Sequence, residues 1–385
     1  MSAAQDFETT TENELLVAAV RRRIEAEGRI TFRDFMALCL YHPQHGYYFS
    51  RRQAMGRDAD YLTSPEVHPF FGAVVARQLS EMWEVMNRPS PFDLLEMGPG
   101  SGLLARDILL ATRRRDPRFL AALRYRLLER SPRQAERQRD TLDGLDLPVG
   151  KVDWLSEEPS PASVRGCVLS NELLDSFPVH RVVLQDGRLR EVYVSWREGA
   201  FVEELDDLST PELAPYFQRL GLLPGEGCRA EVNLEALQWI KGVATALDRG
   251  FVLTFDYGHE APDLYAPWRR DGTLLCFYRH NPSNDPYRRI GRQDMTAHVD
   301  FTSLIDEGRR QGLEPLGLTT QARFLSALGI YEALRQREGD TDLEEHFARR
   351  HAVHELTDPV GLGRVRVLVQ AKGLEGCRLK GLEEM

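Results

Sequence analysis

FDLLEMGPGSG, running from Phe92 to Gly102, decides the fold of this 385-residue chain. Its first six residues read as a strand buried in a sheet, and LLARDILLATRRR (103–115) repeats apolar residues at helical spacing. Between them stand Gly98, Gly100 and Gly102. A glycine turn lets a ligand approach the backbone, and the helix start behind it offers free N–H groups and positive potential. The dinucleotide fingerprint G-x-G-x-x-G sets its third glycine three residues after the second. Here Gly102 comes two after Gly100, and Leu103 fills the expected place. Glu96, two residues before the first glycine, suits a cationic amino-acid group better than a pyrophosphate. S-adenosylmethionine carries such a group together with a sulfonium, and it is the cofactor this turn predicts.

Working outward, RYRLLE (124–129) reads as the next strand and PRQAERQRDTL as the helix after it. Glu129 closes that strand 27 residues beyond Gly102, where an acid would accept both ribose hydroxyls. Asp153 and Trp154 in VGKVDWL would give the adenine a polar partner and a flat face. RGCVLS (165–170) and FVLTFD (251–256) are two further strands. Short apolar strands alternating with helices predict a Rossmann-like α/β fold, its sheet mainly parallel with helices on both faces. VHRVVLQDGRLREVYVSWREGAFVEEL breaks the alternation as antiparallel strands turning at Asp186-Gly187 and Glu198-Gly199. Residues 208–249 read as two helices around Pro224-Gly225. The chain thus divides into a helical amino-terminal extension, 1–88, lining the active site, and a core, 89–385, with a cap inserted at about 178–250.

Composition narrows the class. The chain is 28% charged with a net charge of −10 and has no apolar run near the ~18 residues of a membrane helix, so membrane insertion is not expected. Five scattered cysteines without a CxxC pair suggest a reducing compartment and no structural zinc. The first residues, MSAAQDFETTTENELL, resemble neither a signal nor a transit peptide, so a cytoplasmic home is expected. Residues 106–139 carry eleven Arg against four acids. Spread over two helices and a strand, these arginines should scatter over several faces, which makes a nucleic-acid partner a minor alternative.

The fourth strand leads into Ser170-Asn171-Glu172-Leu-Leu-Asp175, at the carboxyl edge where open α/β sheets meet their ligands. Glu172 and Asp175 suit a clamp for a cationic acceptor such as a guanidinium. They equally suit a helix start whose dipole favours acids. Asp256 ends the fifth strand at the same edge. His298 could take the proton that a methylated nitrogen loses, although a lone histidine is more often structural.

HPxxGYY (42–48), DYLTSPEVHPFFG (60–72), EMGPGSG (96–102), SNELLDSFPVHR (170–181), FDYGH (255–259) and DMTAHVDF (294–301) together resemble the MidA family, in order and over nearly the whole chain. The resemblance implies a class I S-adenosylmethionine-dependent methyltransferase, related to enzymes linked to assembly of mitochondrial respiratory complex I. In the mitochondrial members it implies symmetric dimethylation of a protein arginine. It also implies that Thr63, Ser64, Pro65 and Glu66 line the methionine end of the cofactor pocket, with Asn171 beside it. Tyr47 and Tyr48 read as packing over the pocket, although aromatic pairs more often belong to a core. Ser64 and Pro65 equally read as a cap and first turn of a helix. A bacterial-type member acting on a protein arginine is the expectation. The alternatives are an assembly or scaffold protein that keeps the cofactor site without catalysis, and an RNA or small-molecule methyltransferase.

Overall fold

The computed structural model describes residues 12–49, 62–334 and 343–383. Its central sheet has seven strands in the order Glu314–Thr320, Arg366–Lys372, Leu247–Asp256, Val164–Asn171, Phe92–Met97, Leu123–Leu128 and Val152–Leu155. The last five are parallel to one another. Arg366–Lys372 and Glu314–Thr320 close one side as antiparallel strands. This is the Rossmann-like α/β class, a largely parallel sheet flanked by helices. Phe92–Met97 has successors on both sides, Leu123–Leu128 on one and Val164–Asn171 on the other. Strand order therefore reverses at its carboxyl end, which opens a crevice for a ligand there.

All six residues of Phe92–Met97 are buried, including two acids. Asp93 is neutralised by Arg124, whose Nε lies 2.5 Å away, and it accepts the Arg165 N–H at 3.1 Å. Glu96 accepts the Tyr125 hydroxyl at 2.7 Å. Polar groups in a sheet interior are tolerated because each has such a partner. The apolar face of helix Leu103–Arg115, with Leu104, Ile108 and Leu109, packs into the core beside Phe71, Leu79, Leu94 and Phe119.

The chain forms two compact units. One holds Leu62–Leu173, Trp239–Tyr257 and Leu304–Met385, and therefore the central sheet. The other holds the described part of Met1–Tyr61 with Leu174–Gln238 and Gly258–Ser303. In this second unit, strands His180–Gln185, Arg188–Arg197 and Ala200–Asp206 run antiparallel through the turns read from sequence. Asp186, Gly187, Glu198 and Gly199 all have positive φ, as two-residue hairpin loops require. Ile30–Thr31 adds an edge strand against Tyr193 and Val194. Helix Glu14–Glu27 begins at Asn13, whose side chain accepts the Leu16 N–H, and ends at Gly28 with φ 82°.

The reading of 208–249 as two helices needs correction. Helix Leu213–Leu220 is followed by a strand, Arg229–Val232, paired antiparallel with His180–Val183, before helix Leu234–Ala246 begins. Four residues are too few for a periodic signal, and this strand exists because a partner edge is available. Residues read as the amino-terminal extension fall in both units. Helices Glu14–Glu27 and Phe32–Tyr41 lie in one, and Ser64–Val67 and Phe70–Val85 in the other. The 178–250 stretch divides between Gln238 and Trp239. No described helix is long and apolar enough to cross a membrane.

Candidate active site

Gly98, Gly100 and Gly102 have φ of 68°, 52° and 79°, conformations that cost little only for glycine. Two of the three also answer to their surroundings. A Cβ on Gly98 would lie 2.7 Å from Leu173 Cδ1, and one on Gly102 would lie 3.3 Å from Gln138 Cα. Gly98 and Gly100 are exposed, whereas Gly102 is buried as the residue preceding helix Leu103–Arg115. The turn thus presents its first two glycines to solvent and packs its third against a neighbouring helix.

That helix, Pro132–Leu142, braces the site through a residue that sequence reading passed over. Gln138 is fully buried. Its Nε2 donates to Gly100 O and to Glu129 Oε2, both at 3.0 Å, while its Oε1 accepts from Trp154 Nε1 at 3.1 Å. One side chain therefore joins the glycine turn, the acid after the second strand and the aromatic on the third. Thr141 adds a bond to Ser101 O at 2.7 Å. Burial raises the Glu129 carboxyl above its ordinary pKa, against the N–H of Ser131 and the Gln138 amide. Arg139 lies over the Trp154 ring at 4.8 Å. Asp153 is exposed, its carboxylate accepting the Trp154 N–H at 3.0 Å.

On the other side of the glycine turn lies Asn171-Glu172, at the carboxyl end of Val164–Asn171. Glu172 has φ 50° and accepts at Oε1 from the Ser64 N–H and Asn171 Nδ2, each at 3.1 Å. Loss of water around this carboxyl pushes its pKa up to about 8, and the charges of Asp256 and Glu66 push the same way. Glu66 accepts from the N–H and the hydroxyl of Thr63, each at 3.1 Å. Asp256, fully buried, accepts the N–H groups of Leu173 and Tyr257. It fixes the chain that follows Glu172.

These residues fit the methyl donor. Asn171 Oδ1 is a buried acceptor without a hydrogen-bond partner, a vacancy that an amino group satisfies. The exposed glycines leave space for a ligand at a helix start, Glu129 follows the strand Leu123–Leu128, and Trp154 stands on the neighbouring strand. A model of the family of putative S-adenosyl-L-methionine-dependent methyltransferases matches residues 74–319. The chain belongs to this family.

Proteins of known name and a solved structure are similar to this chain over most of their length. The chain is 30% identical over 398 residues to the mitochondrial protein arginine methyltransferase NDUFAF7 homolog of Drosophila melanogaster, covering 94% of this chain and 86% of the relative. With human mitochondrial NDUFAF7 the identity is 26% over 337 residues, covering 80% and 72%. A crystal structure of a "likely methyl transferase" from Burkholderia thailandensis, bound to S-adenosyl-homocysteine, superposes with a TM-score of 0.86 at 31% identity, covering 96% and 94%. The chain is thus a class I S-adenosylmethionine-dependent methyltransferase related to the MidA family, and S-adenosylmethionine is its cofactor. The cytoplasmic expectation is overturned by these comparisons, since the fly, rat, zebrafish and human relatives are mitochondrial proteins.

Within this methyltransferase the sequence-derived candidates separate. Glu96, the three glycines, Glu129, Asp153, Trp154, Asn171, Glu172, Asp256 and Thr63 to Glu66 all lie in the unit of the central sheet. Tyr47, Asp175 and His298 lie in the other unit. Tyr47 is buried in that unit's core, edge-on to Tyr48. Asp175 is buried and its carbonyl accepts the Ala297 N–H at 2.8 Å, while the His298 ring lies 5.1 Å from that of His259. Residues 172–178 form no helix. A single turn closes from Phe177 N–H to Leu174 O, so neither a shared helical face nor a helix dipole accounts for Glu172 and Asp175.

Two local readings change with their partners in view. Ser64 is not the cap of its helix, since Thr63 holds that place. The Ser64 hydroxyl instead donates to Gln321 Oε1 at 2.9 Å in the interior. Glu96 is buried by its neighbours and pushed up to about 8 by burial, with the Tyr125 hydroxyl opposing the shift. Asp60 and Tyr61 of the DYLTSPEVHPFFG motif lie outside the described residues. The spacing of Gln134 and Gln138 on the buried face of their helix was the available signal for Gln138, because polar residues repeated on a core-facing stripe need a partner.

Proposed function

We propose that this methyltransferase acts on a protein and transfers the methyl group to an arginine side chain. Glu172 is the observation that carries the reading. Its carboxylate is held at the ligand edge of the sheet by Ser64 and Asn171, with Glu66 and Asp256 near enough to raise its pKa. A cluster of acids that resists ionisation is relieved by a cation. A guanidinium remains charged at any ordinary pH and offers donors in a planar fork. The arginine-methyltransferase relatives from fly and human support the same acceptor, and the 31% identity with the Burkholderia chain supports a bacterial-type member.

The donor supplies a methyl group on a sulfonium for in-line displacement by a nitrogen. Gly98, Gly100, Glu129 and Asn171 are assigned to holding it, with Gln138 and Trp154 shaping its adenosine end. Glu172 has two tasks. Ionised by the incoming guanidinium, it holds the charge on one nitrogen so that another faces the methyl group. It then stands as an acceptor for the proton released on transfer, a role that a pKa near neutrality suits. Most of the rate comes from this alignment, since displacement at a sulfonium needs little further chemistry.

Incubating the protein with radiolabelled S-adenosylmethionine and an extract from cells lacking it tests the acceptor. Label recovered as methylarginine after acid hydrolysis is expected. Label in RNA or in small molecules would replace the proposal by those acceptors. Binding of the donor without transfer to any fraction would favour the scaffold reading.

A further inference from the structure

The Ser64 N–H that Glu172 accepts is itself anchored from a distant part of the chain. The Ser64 hydroxyl donates to Gln321 Oε1 at 2.9 Å, across 257 residues of sequence. Gln321 and Ser64 are both fully buried. Gln321 Nε2 donates to Leu356 O at 3.1 Å, and its backbone N–H donates to Val365 O at 2.7 Å. All of these residues belong to the unit of the central sheet.

Chemistry fixes the direction of each bond. Leu356 is the penultimate residue of helix Leu343–Thr357, where carbonyls have no partner within the helix. A carbonyl only accepts, so the Gln321 amide turns its nitrogen to Leu356 and its oxygen to Ser64. That oxygen also only accepts, so the Ser64 hydroxyl must donate to it. Capping the helix accounts for the amide nitrogen alone. The oxygen instead holds the residue whose N–H reaches Glu172 Oε1 at 3.1 Å.

Glu172 needs such anchoring. Its φ of 50° is a left-handed conformation that strains any residue but glycine, and such strain persists where surrounding contacts over-determine it. Its N–H donates to Phe255 O at 2.8 Å, Asn171 Nδ2 reaches its carboxylate, and the following Leu173 N–H donates to Asp256. Those contacts come from the ends of two neighbouring strands. Ser64 adds a contact from helix Ser64–Val67, and Gln321 ties it to helix Gln321–Ala327.

We propose that Gln321 is a positioning residue for methyl transfer: through the Ser64 hydroxyl it fixes the Ser64 N–H against Glu172 and so holds that carboxylate in place for the acceptor cation. The inference rests on the reading of Glu172 as the acid that meets the acceptor. Burial raises the Glu172 carboxyl and the charges of Asp256 and Glu66 add to the rise, while the Ser64 N–H and the Asn171 amide oppose it. Loosening Ser64 removes part of that opposition, and Glu172 then keeps its proton to higher pH.

Two variants cut the link from its two ends. Gln321→Met keeps the length of the side chain and loses both of its side-chain bonds, whereas Ser64→Ala leaves Gln321 bonded to Leu356. Carbon-13 NMR of the full chain with carboxyl-labelled glutamate follows Glu172, whose signal is the one lost in Glu172→Gln. Either variant should move the titration midpoint of that signal up by about 0.5–1 pH unit, as for a weakened hydrogen bond to a charged group. The double variant should move it no further than the larger single effect, because both changes break one link. At pH 7, transfer from radiolabelled S-adenosylmethionine to a cell extract should fall by about three- to tenfold in Gln321→Met, a deficit that shrinks above pH 9. Its affinity for S-adenosyl-homocysteine should be unchanged. A lower Tm with an unmoved Glu172 signal in both variants would reduce Gln321 to a helix cap and overturn the proposal. A moved signal together with full activity in Glu172→Gln would uphold the link and overturn the acceptor role of Glu172 instead.

Discussion

The side-chain amide of Gln138 donates to the Glu129 carboxylate at 3.0 Å, from the middle of a helix to the end of a strand. The same nitrogen reaches Gly100 O, so the acid assigned to the ribose and the glycine turn assigned to the donor are held by one group. Replacing it by Leu keeps the bulk and removes all three bonds. Gln138→Leu should raise the Kd for S-adenosyl-homocysteine by about 10- to 100-fold, because the glycine turn, Glu129 and Trp154 all lose the group that holds them. Thermal unfolding measured on the same sample checks that the fold persists. Gln138→Glu is the sharper variant, because it sets a second carboxylate against Glu129. It should bind the ligand worse at pH 8 than at pH 5, and pH-independent affinity would remove Gln138 from the site.

The glycine turn should distinguish methyl donor from dinucleotide. S-adenosyl-homocysteine is expected to bind at micromolar concentration, about −8 kcal/mol, and NAD should not compete. At Gly100, with φ 52°, even alanine is strained by ~1 kcal/mol, and a β-branched side chain by more. Gly100→Ala therefore tests close approach better than Gly100→Val. A loss of affinity well above tenfold with a small change in Tm is the expected result. A fall in Tm with unchanged affinity would make the turn purely structural.

Glu96 makes a prediction about pH. Its carboxyl is raised from 4.5 to about 8, first by burial, so the folded chain keeps a proton that the unfolded chain releases. Between those values the native state binds more protons, and its stability falls as pH rises, with a limiting slope of about 1.4 kcal/mol per unit. Below 4.5 the cost is absent, and above 8 it is constant. Glu96→Gln still accepts from Tyr125 and has no charge to lose. Denaturant titrations from pH 4 to 9 should show wild type and variant converging at low pH and separating through that window. Parallel curves would mean that Glu96 titrates in the folded chain as it does in the unfolded one.

The extent to which this was readable follows from where each signal is stored. FDLLEMGPGSG contains its strand, turn and helix start within eleven consecutive residues, and Asp186-Gly187 determines its own hairpin. Both are local, and the structure has them where the sequence suggests. Arg229–Val232 became a strand only because the edge of His180–Gln185 was free to pair. The turn after Asn171 is similar. Two acids three apart look helical in sequence, but Glu172 takes a left-handed conformation while Asp256, 84 residues away, holds Leu173. Contacts of that range leave no spacing to read. Gln138 shows the intermediate case, in which its burial is periodic and legible but its three partners are not.

The last prediction concerns the acceptor. Glu172→Gln preserves shape and retains an oxygen to accept from the Ser64 N–H, so donor affinity should change little. Transfer should fall by on the order of 10²-fold, because a neutral amide cannot hold the guanidinium charge or receive a proton. The pH profile separates these roles from simple loss of structure. Wild-type kcat/KM should rise with pH as Glu172 ionises, with an apparent pKa near 8, and the corresponding limb of kcat should lie lower, since a bound cation favours the charged form. Both limbs should vanish in the variant. Asp175→Asn is the companion experiment. Asp175 is buried in its own unit, so its replacement is expected to lower Tm while the pH limb set by Glu172 stays in place. Full activity in Glu172→Gln would leave the arginine acceptor resting on the relatives alone.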